Sequence, residues 1–198
     1  MADLQVRALD SATWPDFARL VEKHNGVWGG CWCMAFHAEG VGRGKSADQN
    51  RSSKEARVRE GRAHASLVYD GPAAVGWCQF GPTEELPRIK HRRAYLAGAA
   101  EPPDWRITCF FVDRQSRKKG VAAAALKGAL AEIARLGGGL VESYPEDVAD
   151  RSTSASFLYN GTVAMFGLEG FQRTRQLGKH HWVVSKRVDD ASPTIRSP

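Results

Sequence analysis

The spacing of hydrophobic positions along this chain changes period several times, and each change predicts an element. Residues 4–9 alternate apolar and polar side chains, as a half-buried strand does. Thr13 before Trp14-Pro15 has the form of a helix N-cap with proline in the first turn, which predicts a helix to about residue 24. Residues 25–43 are rich in aromatics and cysteine, and over 38–53 the chain turns to glycine, serine and polar side chains with little to bury, the pattern of a mobile loop. A charged, helix-favouring piece follows over 53–61, with Gly61 as its stop. Residues 63–69 and 73–80 read as two strands flanking Asp70-Gly71, a dipeptide suited to the positive backbone angles of a hairpin turn.

Beyond Gly81-Pro82 the pattern predicts a helical piece over 84–95 and a Gly/Ala/Pro connector over 97–104. Residues 105–112 form a nearly continuous apolar run with β-branched and aromatic members, the mark of a strand buried on both faces and therefore central. Residues 121–136 are helical and end at Gly137-Gly138-Gly139; then come a strand over 139–144, a helix over 160–169, and a closing antiparallel pair over 171–173 and 181–188. This order predicts an α/β (α+β) protein, a mixed central β-sheet flanked by helices, with residues 1–188 as one domain and 189–198 as a disordered tail. No internal repeat interrupts it.

Composition narrows the class. With 198 residues, 42% of them hydrophobic, one core needs no disulfide staples, and charged residues of both signs make up 25%, as in a globular protein. Two of the four cysteines, Cys78 and Cys109, fall in apolar strand-like runs, which fits buried thiols in a reducing cytoplasm. No run approaches the roughly 18 apolar residues of a membrane span, so no membrane partner is expected. The net charge of +6 favours an anionic partner. The densest basic cluster, Arg88, Lys90, His91, Arg92 and Arg93, lacks the interleaved aromatics of a nucleic-acid stripe and reads as a solvated helix face.

The segment Asp113-Arg114-Gln115-Ser116-Arg117-Lys118-Lys119-Gly120-Val121-Ala122 joins the central strand to its helix. A glycine here lets the backbone turn so that successive amides and the positive end of the helix converge on one point. Lys118 and Lys119 add charge, and the alanines from Ala122 onward, Ala123 among them, allow close approach. The sequence predicts an anion site.

Arg117-Lys118-Lys119-Gly120-Val121-Ala122 resembles the Arg/Gln-x-x-Gly-x-Gly/Ala motif of the GNAT N-acetyltransferase superfamily, and Thr108-Cys109-Phe110-Phe111-Val112 is similar to its fourth strand. The hairpin before, the strand with Glu142-Ser143-Tyr144 after, and the segment from Met165 to Phe171 fall where that family has its own, so the resemblance covers about residues 4–188. It implies acetyl-CoA as cosubstrate, with pantetheine along the fourth strand by Phe111, Val112 and Asp113. It places the pyrophosphate on the amides of Lys118, Gly120 and Ala122, within a cofactor-binding segment made of Arg117, Lys118, Lys119, Gly120, Val121, Ala122 and Ala123. It further implies direct attack by an unknown primary amine, on a small molecule first and on a protein or peptide second. A non-catalytic CoA-binding module is the rival, and a homodimer is open.

Many members of that family carry a tyrosine in a Tyr-x-x-x-Gly-Phe segment to protonate the leaving thiolate, but Phe166 stands there in this chain. Tyr144 and Tyr159 are the candidate substitutes, each with a half-buried tyrosine as the plainer reading. Candidate bases are Glu84, Glu85 and Glu142, with His24 and His37 behind them and water as the alternative. Cys31-x-Cys33 with His37 lacks a fourth zinc ligand, so no metal is expected. Gly44-Lys45-Ser46 lacks the earlier glycine of a P-loop, since position 39 is Glu39. Cys109 reads as a core thiol instead of a nucleophile.

Overall fold

The computed structural model describes residues 4–41, 44–98 and 101–191. Most of the tail expected to be disordered lies outside them. In chain order the elements are β1 (Leu4–Ala8), α1 (Trp14–Lys23), α2 (Ala47–Arg59), β2 (His64–Asp70), β3 (Ala73–Pro82), α3 (Arg92–Gly98), β4 (Trp105–Val112), α4 (Val121–Arg135), β5 (Gly139–Ser143), α5 (Val163–Leu168), β6 (Gln172–Leu177) and β7 (His181–Val188). Among the described residues these strands form one sheet of order β1-β2-β3-β4-β5-β7-β6, antiparallel except for the parallel β4–β5 pair. The mixed sheet and central β4 agree with the sequence pattern.

Three expectations are corrected. The region read as a loop over 38–53 contains most of α2, which starts at Ala47 behind a capping box: the Ser46 side chain accepts from the Gln49 amide and the Gln49 side chain from the Ser46 amide. Its inward face carries Asn50, Lys54, Arg57 and Val58, so apolar periodicity had almost nothing to register. The helix expected over 84–95 is confined to Arg92–Gly98; Pro87 lacks an N–H and steers Leu86 away from helical backbone. At the hairpin, Asp70 pairs with Ala73, so Gly71-Pro72 forms the tip and Gly71 alone takes a positive φ, of 60°. That is the glycine-first pattern of a type II′ turn.

Two clusters of buried residues cover the two faces of the sheet. Trp14, Phe17, Val21, Trp32, Trp77 and Phe111 pack under α1, while Val68, Cys78, Ile107, Phe110, Leu126 and Ile133 pack under α4. An irregularity in β4 decides which residues go where. Gln79 pairs with Cys109 but Phe80 pairs with Ile107, leaving Thr108 as the extra residue of a bulge. Side chains alternate across a strand, so one inserted residue reverses the faces: Trp105 and Ile107 join the α4 side, whereas Cys109 and Phe111 join the opposite one. At the same level β4 and β5 part, their pairing ending at Ile107 with Ser143.

Candidate active site

The split between β4 and β5 opens a cavity of about 290 Å³ at the N-terminus of α4. Of the residues expected to meet the cofactor, Phe111, Val112, Arg117, Lys118, Gly120, Val121, Ala122 and Ala123 line it. Asp113 and Lys119 do not, and face a neighbouring hollow beside α1. Lys118 and Gly120 have φ of 61° and 82°, and this left-handed turning lets the loop reverse into the helix. Gly120 caps α4 without any side-chain bond, so the first-turn amides keep no side-chain acceptor. A Cβ at Gly120 would meet nothing within 4 Å, so the position calls for glycine by its φ and not by lack of room. An anion of phosphate size fits this cradle.

Asp113 builds the loop from behind. Its carboxylate accepts from the Lys23 ammonium at 2.6 Å and from the Gln115 amide at 3.0 Å, and its own amide donates to the Val75 carbonyl at 2.8 Å. Burial alone would raise its pKa, but the bonds from Lys23 and Gln115 hold it below the usual carboxylate value. The Phe110 amide points the other way, donating to the Tyr159 carbonyl at 2.6 Å. Strand alternation puts the Val112 amide on that same edge and turns the backbone of Phe111 toward β3. The strand donors available to a ligand in the cleft are therefore those of Phe110 and Val112, with the amides of Phe111 and Asp113 turned away.

A second cavity, about 480 Å³, adjoins the first at Trp28, which lines both. Its wall holds Cys31, Cys33, Phe36, Cys109 and Tyr159, with Arg88 and Lys90 also lining it. Among the described lining residues of the two cavities there is no carboxylate and no histidine. Trp28 belongs to a loop in which Asn25, Val27, Trp28, Trp32 and Cys33 all have positive φ although none is glycine. Left-handed backbone at a β-branched residue such as Val27 is strained, and such strain persists where surrounding packing enforces it. The aromatic and cysteine content of this stretch was visible in the sequence, but its place at both cavities was not. Phe110, Ser116, Leu158, Gly161, Thr162 and Met165 also line the first cavity without having been singled out.

Of the proposed acids and bases, only Tyr159 reaches a cavity. Its hydroxyl pKa is raised, first by burial and then by Cys109 and Glu146, so the phenol keeps its proton at neutral pH. Glu142 accepts from the hydroxyls of Tyr95 at 2.8 Å and Tyr144 at 3.2 Å, and Tyr144 is fully buried. These groups brace α3 against β5, away from both cavities. Glu85 is held by His64, its Oε2 lying 2.9 Å from Nδ1, and Glu84 is exposed and lines neither cavity. His24 packs its ring edge against Phe111, with centroids 4.9 Å apart. Phe166 is a core residue with its ring against Phe110 and Phe171, 5.9 and 4.9 Å between centroids.

Behind the second cavity lies a buried polar chain. Lys54 has 1% exposure, and its ammonium donates to Gln79 Oε1 and to His37 Nε2, each at 3.1 Å; His37 Nδ1 lies 3.2 Å from the Glu85 carbonyl. The lysine must donate to Nε2, so the imidazole is neutral with its proton on Nδ1. Burial, then Lys54 and Arg57, push the His37 pKa down to about 2, and burial lowers that of Lys54. Burial raises the thiol pKa of Cys33, and a bond from Cys33 together with burial raises that of Cys31, so both line the cavity as neutral thiols. All four cysteines are free, and among the described residues no group of three or more metal-binding side chains converges. No helix of the described residues is long and apolar enough to cross a membrane.

A mixed seven-stranded sheet flanked by helices that parts at a parallel β4–β5 pair is a GNAT-like acetyltransferase fold, and this chain has it. Among solved structures, arylalkylamine N-acetyltransferase like 5b from mosquito matches with a TM-score of 0.57 and 11% identity, over 93% of this chain and 100% of that one. The yncA protein of Salmonella typhimurium, solved with its cofactor acetyl-CoA, matches with a TM-score of 0.53 and 16% identity over 97% and 98% of the two chains. Ribosomal-protein-S5-alanine acetyltransferase from Vibrio fischeri matches with a TM-score of 0.53 and 13% identity over 98% and 97%. No protein-family model matches the sequence, and no curated protein does.

Proposed function

We propose that this chain is an acetyl-CoA-dependent N-acetyltransferase that modifies a primary amine on a small molecule. The observation that carries the reading is the junction at Trp28 of two cavities: one ends at the uncapped first turn of α4, and the other is enclosed by aromatic and thiol side chains. The first suits a diphosphate and its pantetheine arm. The second suits an acceptor approaching from the opposite side.

Bound acetyl-CoA supplies a thioester carbonyl carbon open to a nitrogen lone pair. The loop from Arg117 to Ala123 holds the diphosphate by amides, helix dipole and the Lys118 charge. Val112 N–H serves as a donor along the cleft, and Phe110 N–H joins it by exchanging the Tyr159 carbonyl for a ligand carbonyl. Amide donors aimed at a carbonyl oxygen stabilise the charge that grows there during attack. With no carboxylate or histidine in either described lining, the amine reacts as the neutral fraction in solution or gives its proton to water. The C–N bond forms, the C–S bond breaks, Tyr159, kept protonated by burial, donates its proton to the departing sulfur, and the proton released from the acetylated nitrogen passes to water, from which the phenol is restored. Proximity supplies most of the acceleration, since the cavities meet and hold the reactants together.

The test is thiol release from acetyl-CoA that depends on added amine. Release across a panel of small primary amines supports the reading. Tight CoA binding with no amine-dependent release would instead favour a binding module.

A further inference from the structure

The basic segment at residues 88–93 reads from sequence as a solvated face, yet Arg88 and Lys90 both line the second cavity. No ion pair to a carboxylate occurs for either among the described residues; the Arg88 guanidinium reaches only the Ala38 carbonyl, at 3.5 Å. Trp28 is shared with the cofactor-side cavity, whereas Lys90 is shared with a further hollow, so the second cavity has one border toward the cofactor side and another that is basic. Between them the wall is apolar or weakly polar: Cys33, Phe36, Cys109 and Tyr159. In the hollow beyond, Glu146 is already engaged by Arg151 and lies 3.5 Å from His181, leaving Lys90 and Lys179 as cations without a carboxylate there.

We infer that the acceptor is a primary amine bearing an anionic group at the far end of an apolar body, with the amine toward Trp28 and the anion held by Arg88 and Lys90. This rests on the acetyltransferase reading. A second ammonium at the far end would meet two cations and no counter-charge, so polyamine-like acceptors are disfavoured. An uncharged end would leave the guanidinium and ammonium without the partner their placement suits. Carboxylate and phosphate share the required chemistry, and the probes below separate them.

Benzylamine and three para-substituted derivatives share one amine and one apolar body: 4-(aminomethyl)benzoate, its phosphonate analogue and 1,4-bis(aminomethyl)benzene. Their kcat/KM is read from CoA release, and their binding by calorimetry on the CoA-loaded protein. One of the anionic probes is expected to exceed benzylamine by up to about fivefold, the scale of one well-placed exposed charge pair, and the dication to fall below benzylamine. The advantage should shrink as salt is raised. Lys90→Glu, and separately Arg88→Glu, should reverse the order of anion and dication; Lys90 is exposed, so that variant keeps the fold.

Equal values for the anionic and uncharged probes, in turnover and in binding, would overturn the inference while leaving the acetyltransferase reading intact. If no amine is turned over, that reading fails, and the calorimetric order alone still decides whether an anion-bearing amine occupies the cavity.

Discussion

His37 links acid stability to the buried polar chain behind the second cavity. In the folded chain its imidazole is wholly buried and receives a bond from Lys54, so its pKa is pushed down to about 2 from the ordinary 6.5. In the unfolded chain it takes up a proton near 6.5, so below that pH the unfolded state binds a proton that the folded state refuses. The stability due to this difference is complete above 6.5 and is lost as pH falls toward the folded value. Each pH unit within that window costs about 1.4 kcal/mol, so acidification from neutrality to about pH 4 removes about 3 kcal/mol. That is a large share of the roughly 5–15 kcal/mol of a typical domain. His37→Gln cannot be protonated; at neutral pH it should lose about 1–3 kcal/mol by disturbing the bonds to Glu85 and Lys54. Its further loss on acidification should then be about 3 kcal/mol smaller than that of the parent chain. Urea titrations followed by tryptophan fluorescence at pH 7 and near pH 4 measure both quantities. The contribution of His181, whose pKa burial lowers to about 4, is common to the two proteins and cancels. An identical pH dependence in parent and variant would refute the assignment of His37 as a buried neutral imidazole.

Other expectations concern the proposed chemistry. Gly120→Ala and Gly120→Glu both force a β-carbon onto a φ of 82°, and each should cost about 1–2 kcal/mol in thermal or urea denaturation. Because that β-carbon enters open space, the alanine variant should bind CoA nearly as well as the parent, whereas the glutamate should weaken binding at least about tenfold by like-charge repulsion. Equal calorimetric affinities for the two would sink the loop assignment. Tyr159→Phe should lower kcat about 10²-fold with KM little changed, as removal of a proton donor does, and an unchanged kcat would shift that role to water. Phe166→Tyr should destabilise the fold by about 1–3 kcal/mol without raising kcat, because its hydroxyl enters the contact with Phe110 and Phe171.

The sequence by itself determined the elements whose residues follow a simple period. The apolar run of β4, the hairpin before it, the Ala/Leu/Ile stripe of α4 and the glycine between β4 and α4 need only local spacing to be recognised, and together they marked the loop that turns into α4 beside the first cavity. It registered only the C-terminal half of α2, as the helix-favouring piece over 53–61, and missed its start, because the helix buries Asn50, Lys54 and Arg57 and begins at a capping box. Nor could it show the bulge at Thr108, which puts Trp105 and Ile107 on the face opposite Cys109 and Phe111; a bulge is a property of pairing between strands. The candidate acids and bases were chosen by residue type, and tertiary structure sorted them by their partners: Glu142 is held by two tyrosines and Glu85 by His64, while Tyr159 alone lines a cavity. The basic run at 88–93 is exposed, as its composition implied, and the assembled fold adds that Arg88 and Lys90 border the second cavity. Spacing along a chain tells which side chains share a face, but which opening that face lines depends on contacts between residues far apart in sequence, and those exist only once the sheet is assembled.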